Sequence, residues 1–303
     1  MSSFAEMADT MPARIMLVGH PGSGKTGALA CLVKAGFKLR IMDFDGNLDP
    51  LVRFVPKEFW PNIDVVQLVD TIRGGQKSHE IVGIPTAFSS AFSLMDRWKH
   101  TTPDGTEVDL GNPRKDWGRD TIMFLDGLTM MGRAAFRRTC AMMNRNAFNT
   151  RRQDWGTAMA DQEAFLEKLR GVRNKFHVIC SAHLKMIGPK GEEKADTDLT
   201  IELKEKAAEV VPTRLYPGAL GRELPPNIGG LFPTLLLVEP DCKGSKAKRV
   251  IRTQPREELD IKVPALDVPA TLPIEDGLLT IFEKLTGGIE KCLKHTTTNT
   301  PTS

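Results

Sequence analysis

The sequence has one tyrosine and four tryptophans among 303 residues, which leaves few free aromatics to stack on a ligand. Its five cysteines (Cys31, Cys140, Cys180, Cys242 and Cys292) make no C-x-x-C pair and no metal-type spacing. That excludes a sequence-encoded zinc module or disulfide framework and favours free thiols in a reducing, cytoplasmic setting. No stretch approaches the roughly 18 continuous apolar residues of a membrane span. The first residues lack a basic region followed by an apolar one, so no membrane association and no secretory leader is expected. A strong charge imbalance is missing too: the net charge is +3, which does not by itself demand a nucleic-acid partner. No internal repeat is visible.

What is present is ordinary for a globular α/β protein, 41% hydrophobic and 26% charged, with enough chain to bury one large core. One stretch stands out. Gly19-His20-Pro21-Gly22-Ser23-Gly24-Lys25-Thr26 fits G-x-x-x-x-G-K-[ST], the phosphate-binding loop of P-loop NTPases. Arg14 to Val18 reads as a buried strand feeding it, and Gly27 to Lys34 as the helix leaving it. Glycines let the backbone curl until successive N–H groups converge on phosphate oxygens, and the helix start adds its positive dipole end. Gly19 through Gly27 are therefore the candidate nucleotide-binding residues. Lys25 would reach the β/γ-phosphates, and the Thr26 hydroxyl would ligate Mg²⁺.

Further elements fall into place around this loop. Lys38 to Asp45 reads as a strand ending in two acids, with Gly46 to Pro50 turning away. At the carboxyl end of a strand these acids face a ligand crevice, although turn-forming roles also suit them. Asp64 to Leu68 is a third strand. Phe88, Phe92, Met95 and Trp98 recur at helical spacing and are expected in the core. Thr101 to Arg119 is turn-rich and expected as a surface hairpin or loop. Thr121 to Asp126 is an apolar run closed by an acid, the Walker B pattern, which would hold the Mg²⁺ shell.

Arg133 to Arg152 contains six arginines and no acid. It reads either as a phosphate-contacting segment or as a basic surface helix. Trp155-Gly156 precedes an expected helix from Ala158 to Arg170. His177 to His183 is another buried strand, with His183 at the tip where a γ-phosphate sensor would sit, although a structural histidine at a strand end also suits it. Pro217 to Gly230 reads as glycine-rich loop, and Thr234 to Glu239 as strand. Lys243 to Thr253 reads as a basic-tipped hairpin. Four domains or segments are expected: a flexible N-terminus (1–12), a core (13–254), a Pro-rich linker with a short helix (255–285) and a disordered tail (286–303).

In this order the pieces resemble RecA-like P-loop ATPases. The segment Ile41-Met42-Asp43-Phe44-Asp45-Gly46-Asn47-Leu48-Asp49-Pro50 is similar to the family's acid-ended strand followed by Leu-Asp-Pro. Leu125-Asp126-Gly127-Leu128-Thr129 is similar to its Walker B. Trp155-Gly156 and Ser181-Ala182-His183 resemble the phage-encoded RecA-like ATPases of the Sak recombinase group. The resemblance implies an α/β RecA-like P-loop NTPase core, with a mostly parallel sheet flanked by helices and late antiparallel strands. It implies ATP and Mg²⁺ as cofactors. Lys25, Asp45 and His183 would be catalytic, with Asp45 activating water, and Thr26 and Asp126 would hold the metal. It also implies a homo-oligomer, ring or filament, acting in the host cytoplasm on single-stranded DNA, alongside a single-strand DNA-binding protein. Arg145, Arg151 and Arg152 are the DNA-binding candidates. Lys246, Lys248 and Arg249 would act in trans on a neighbouring subunit's site. A small-molecule kinase and a non-catalytic nucleotide-gated loading factor remain alternatives.

Overall fold

The computed structural model describes residues 11–74, 79–81, 83–144, 150–171, 174–187, 214–241, 248–265 and 267–293. Its strands in chain order are β1 (Arg14–Val18), β2 (Lys38–Asp43), β3 (Ile63–Gln67), β4 (Ile72–Gly74), β5 (His79–Ile81), β6 (Lys99–Thr101) and β7 (Glu107–Asp109). They continue with β8 (Thr121–Asp126), β9 (His177–Ala182), β10 (Leu184–Ile187), β11 (Arg214–Pro217), β12 (Thr234–Asp241), β13 (Lys248–Arg252) and β14 (Thr271–Pro273). Eight of them form one sheet, ordered β14-β13-β12-β1-β9-β8-β2-β3. From β12 to β3 every pair is parallel, whereas β13 and β14 add antiparallel strands at one edge. This is the α/β, mostly parallel architecture expected of a RecA-like P-loop core.

The central strands are continuous apolar runs because both faces of the sheet are covered. Alternate residues serve the two faces. Met16, Val18, Met42, Met123, Leu125, Val178 and Cys180 pack under the helices Ala87–Asp96, Leu128–Met142, Arg152–Arg170 and Leu224–Leu231. Ile15, Leu17, Ile41, Ile122, Phe124 and Ile179 pack under the other layer, which includes Ala30–Lys34 and Gly277–Thr286. Phe88, Met95 and Trp98 are buried as expected. Among the described residues no helix is long and apolar enough to cross a membrane.

The structure departs from the sequence reading at several points. A 3₁₀ turn, Gly27–Leu29, precedes the helix Ala30–Lys34 at the loop exit. Trp155 and Gly156 lie inside a helix that begins at Arg152, earlier than expected. The Asp154 carboxylate accepts the Arg151 N–H there at 2.8 Å, and Trp155 lies against Phe136 with ring centroids 4.1 Å apart. That contact offsets the roughly 1 kcal/mol cost of an interior glycine. On the same helix Gln162 is wholly buried, bonded to the Leu128 carbonyl and the Leu220 N–H.

Leu224–Leu231, read as loop, is a helix. Leu224 and Ile228 are buried, so burial overrides glycine and proline propensity. The run from 255 to 273, read as linker, is anchored to the core at a few points, although most of its described residues are exposed. Leu259 and Ile261 are buried, and β14 extends the sheet. The tail expected from 286 onward contains a further helix, Ile289–Leu293, with Cys292 buried; residues 294–303 lie outside the described ones.

Candidate functional site

Parallel pairing brings the carboxyl ends of four strands to one edge, where Val18 lies beside Ala182 and Asp43 beside Asp126. Ligands of open α/β sheets bind at such an edge. Beyond β1 the chain enters the Gly19–Thr26 loop. The Gly19 N–H donates to the Ala182 carbonyl at 3.3 Å, and the Ser23 N–H to the His20 carbonyl at 3.1 Å. Lys25 folds back over this curl, its Nζ donating to the Gly19 and His20 carbonyls at 2.9 and 3.0 Å. Burial lowers the Lys25 pKa, against the pull of Asp126 and Asp45.

Asp126 closes β8 and is almost wholly buried. Its Oδ2 accepts from the Thr26 hydroxyl at 2.9 Å and its Oδ1 from the Ser181 hydroxyl at 2.6 Å. Burial pushes its pKa up to about 7, despite those two hydrogen bonds, and the charges of Asp45 and Asp43 add to the rise. A carboxylate so poorly solvated gains from a cation. The Thr26 hydroxyl and Asp126 oxygens are the hard donors that Mg²⁺ takes. No group of three or more His, Cys, Asp or Glu among the described residues could hold a metal alone. That suits an ion completed by phosphate and water oxygens.

The two acids of the β2 end divide the work. Asp43 is buried, and its Oδ1 accepts the Gly46 N–H at 2.7 Å, which closes the turn that carries Asp45. Burial raises the Asp43 pKa. Asp45 instead lines the cavity. It approaches Asp126 because Gly127, at φ +93°, has no side chain: a β-carbon there would lie 2.5 Å from Asp45 Oδ1. His183 follows β9 and places its Nε2 3.8 Å from Asp45 Oδ2. Burial first, then Lys25, lower the His183 pKa, with Asp45 opposing. The neutral ring therefore faces the carboxylate at pH 7.

Lys25, Thr26, Asp45, Asp126 and His183 thus border one cavity of about 610 Å³. The structure adds Phe54, which the sequence reading missed. It ends the helix Asp49–Phe54, stays 51% exposed and lines the cavity. Its ring lies against Gly27, where a β-carbon would come within 3.1 Å. An apolar ring just past Leu48-Asp49-Pro50 was the available signal.

The basic candidates separate. Arg249 lines the cavity of its own chain, whereas a trans role was expected. Lys248 is exposed on β13, and Lys246 lies outside the described residues. Arg151 and Arg152 are exposed at the start of the helix Arg152–Arg170, and Arg145 is outside the described residues. The arginine run is free of acids in sequence but not in space, because Arg138 pairs with Asp161 at 2.9 Å.

No curated protein matches the chain. Among solved structures, a KaiC-like protein from Pyrococcus horikoshii aligns at 10% identity and a TM-score of 0.36, covering 86% of this chain and 88% of that one. The flagellar accessory protein FlaH from Methanocaldococcus jannaschii aligns at 8% identity and a TM-score of 0.35, covering 86% and 96%. The ATPase EscN of the enteropathogenic E. coli type III secretion system aligns at 9% identity and a TM-score of 0.38, covering 77% of this chain and 44% of that one. Likeness of this size carries no argument about function. A family comparison is more decisive: residues 11–215, over half of the chain, match the family described as AAA domain (AAA_24), and the chain belongs to that family of P-loop ATPases.

Proposed function

We propose that the chain binds ATP with Mg²⁺ on the Gly19–Gly27 loop and hydrolyses it, using the energy to act on single-stranded DNA. The observation that carries the ATPase reading is the meeting of Lys25, Thr26, Asp126, Asp45 and His183 around one cavity. Loop N–H groups and Lys25 would hold the phosphates, with the base toward Phe54. Bound Mg²⁺, held by Thr26 and Asp126, would supply charge neutralisation on the phosphates. Asp45 orients a water molecule and takes its proton. The water oxygen bonds to the γ-phosphorus as the bond to the β–γ bridging oxygen breaks, releasing ADP and phosphate. His183 holds the Asp45 carboxylate in line.

The finer reading is a phage-type, Sak-like recombination protein whose copies assemble on single-stranded DNA. It is supported by one face, where the helices Leu128–Met142 and Arg152–Arg170 meet. Arg151 and Arg152 are exposed at the start of the second helix, and Trp155, 40% exposed, lies over Phe136 of the first. A cationic surface with a presented indole suits a phosphate backbone and its bases. The test is the rate of Mg²⁺-dependent ATP turnover with and without single-stranded DNA, across protein concentration, with Lys25→Ala as control. Turnover that rises with DNA is expected. Turnover that ignores DNA removes the DNA reading, and none under any condition removes the ATPase reading.

A further inference from the structure

The edge of the sheet carries Arg249 to an unexpected place. β13 runs antiparallel to β12, with Arg249 opposite Pro240. From the other side the Ile274 N–H donates to the Arg249 carbonyl at 3.2 Å. The backbone at Arg249 is therefore held by both neighbours, two strands away from β1. Its side chain lies across the chain's own phosphate loop. A β-carbon on Gly24 would come within 2.9 Å of Arg249 Cδ, 3.6 Å of its Nε and 2.6 Å of Ile274 Cδ1. Gly24, at φ +105°, is thus required both by its backbone conformation and by the side chains resting on it. The Arg249 side chain also lines the cavity shared by Lys25, Thr26 and Asp126.

Among the described residues no acid pairs with this guanidinium. Glu239, nearby on β12, is occupied by Arg252 and Arg256. Asp126 accepts from Thr26 and Ser181, and Asp45 faces His183. Arg249 is exposed overall, yet its stem rests on the loop and it shares the cavity with Lys25, where a planar guanidinium suits a polyanion.

We propose that Arg249 is a cis-acting phosphate ligand. It contacts the phosphates of the nucleotide bound to its own chain, so that charge compensation at each site needs no neighbouring subunit. This rests on the nucleotide reading above. The planar fork gives the two parallel hydrogen bonds that phosphate favours, and β14 and Ile274 brace it from outside. Nucleotide occupancy is thereby tied to the C-terminal edge of the sheet. Assembly of copies would serve contact with DNA rather than completion of the phosphate site.

The experiment uses the full chain as wild type, Arg249→Ala, Arg249→Lys, Lys25→Ala and an equal mixture of R249A with K25A. Binding of a fluorescent ATP analogue is followed by anisotropy, turnover by phosphate release and folding by thermal melting. R249A is expected to melt like wild type, to bind the analogue about tenfold more weakly and to turn over ATP about a hundredfold more slowly. R249K should recover part of the binding, because the charge remains but the fork is lost. The mixture should show no more turnover than the two variants separately. Turnover restored in the mixture would mean that Arg249 acts in trans, and wild-type affinity in R249A would mean that it touches no phosphate; either result overturns the proposal. Failure of the wild type itself to bind the analogue would instead remove the nucleotide reading on which the proposal stands. R249A that melts well below wild type would leave R249K and the mixture to decide.

Discussion

β9 begins at His177 and ends immediately before His183, and the two histidines are held in opposite ways. At His177 the ring is fixed. Its Nδ1 accepts the Ala13 N–H at 2.9 Å and its Nε2–H donates to the Arg119 carbonyl at 2.7 Å. Phe282 packs edge-on against it with ring centroids 4.6 Å apart. Burial, helped by the Arg119 charge, lowers its pKa to about 3, so it is neutral throughout the physiological range. At His183 the backbone is fixed instead. Its N–H donates to the Thr129 hydroxyl at 3.3 Å, and its carbonyl accepts the Gly218 N–H at 2.6 Å. The ring is left facing Asp45 in the cavity. One imidazole is a structural cross-link between the strand and two neighbouring segments; the other is presented to the cavity by a backbone hydrogen-bonded on both sides.

Replacing His177 is the harshest way to test this division. His177→Phe keeps the ring packing against Phe37 and Phe282 but leaves the buried Ala13 N–H and Arg119 carbonyl without their partner. Two such losses cost about 3 kcal/mol, a fall of roughly 5 °C in Tm for a chain of this size. Affinity of the folded protein for an ATP analogue should not change, because His177 lies at the far end of β9 from the cavity. Thermal melting and anisotropy measure the two. An unchanged melting temperature would show that the paired nitrogens contribute nothing.

The opposite pattern is expected at the other end. His183→Ala should leave Tm within about 2 °C, since the backbone bonds to Thr129 and Gly218 survive. Turnover should fall by about thirtyfold, the loss of one polar group that orients a reacting carboxylate. KM for ATP should stay near the wild-type value, because the ring's polar neighbour at 3.8 Å is Asp45, and no hydrogen bond joins it to Lys25 or Thr26 among the described residues. His183→Asn, which retains a donor, should recover part of the rate. If H183A melts early and turns over normally, the two histidines belong to one structural class.

The loop was legible from its glycine–lysine motif, and the approach of Asp45, Asp126 and His183 to one cavity from their places at or just beyond the ends of apolar strands. A fully buried strand needs no partner's identity to be recognised, and the crevice rule then places its last residue. What escaped depended on contacts between distant segments. Arg249 was visible as a basic residue near a hairpin. That it rests on its own Gly24 depends on β12 pairing with the distant β1, which no local pattern encodes. Nothing local marks the polar Gln162 as buried, yet it lies between Leu128 and Leu220 and bonds both backbones. The helix Leu224–Leu231 and the anchoring positions Leu259 and Ile261 were hidden by glycine and proline, whose local cost is outweighed by the burial of Ile228, Leu259 and Ile261. Phe54 was overlooked because an exposed aromatic gains meaning only from the cavity it borders.

A milder perturbation sharpens the contrast without removing any contact at neutral pH. In the unfolded chain His177 titrates near the ordinary pKa of about 6.5, whereas in the folded protein it stays neutral down to about 3. Between those values the unfolded state binds a proton that the folded state refuses, so the stability from a neutral His177 is complete above about pH 6.5 and is lost as pH falls toward 3. At pH 5.5 the loss is about 1.4 kcal/mol, one pH unit below the unfolded pKa. That figure holds for any folded pKa well under 5.5. Other groups titrate alike in wild type and H177F, so the difference between the two melting curves isolates this residue. The gap in Tm between wild type and H177F should therefore narrow by about 2 °C between pH 7.5 and pH 5.5. A gap that stays constant would mean that His177 accepts a proton in the folded state. Its ring would then be as accessible as that of His183, and the two ends of β9 would not differ in kind.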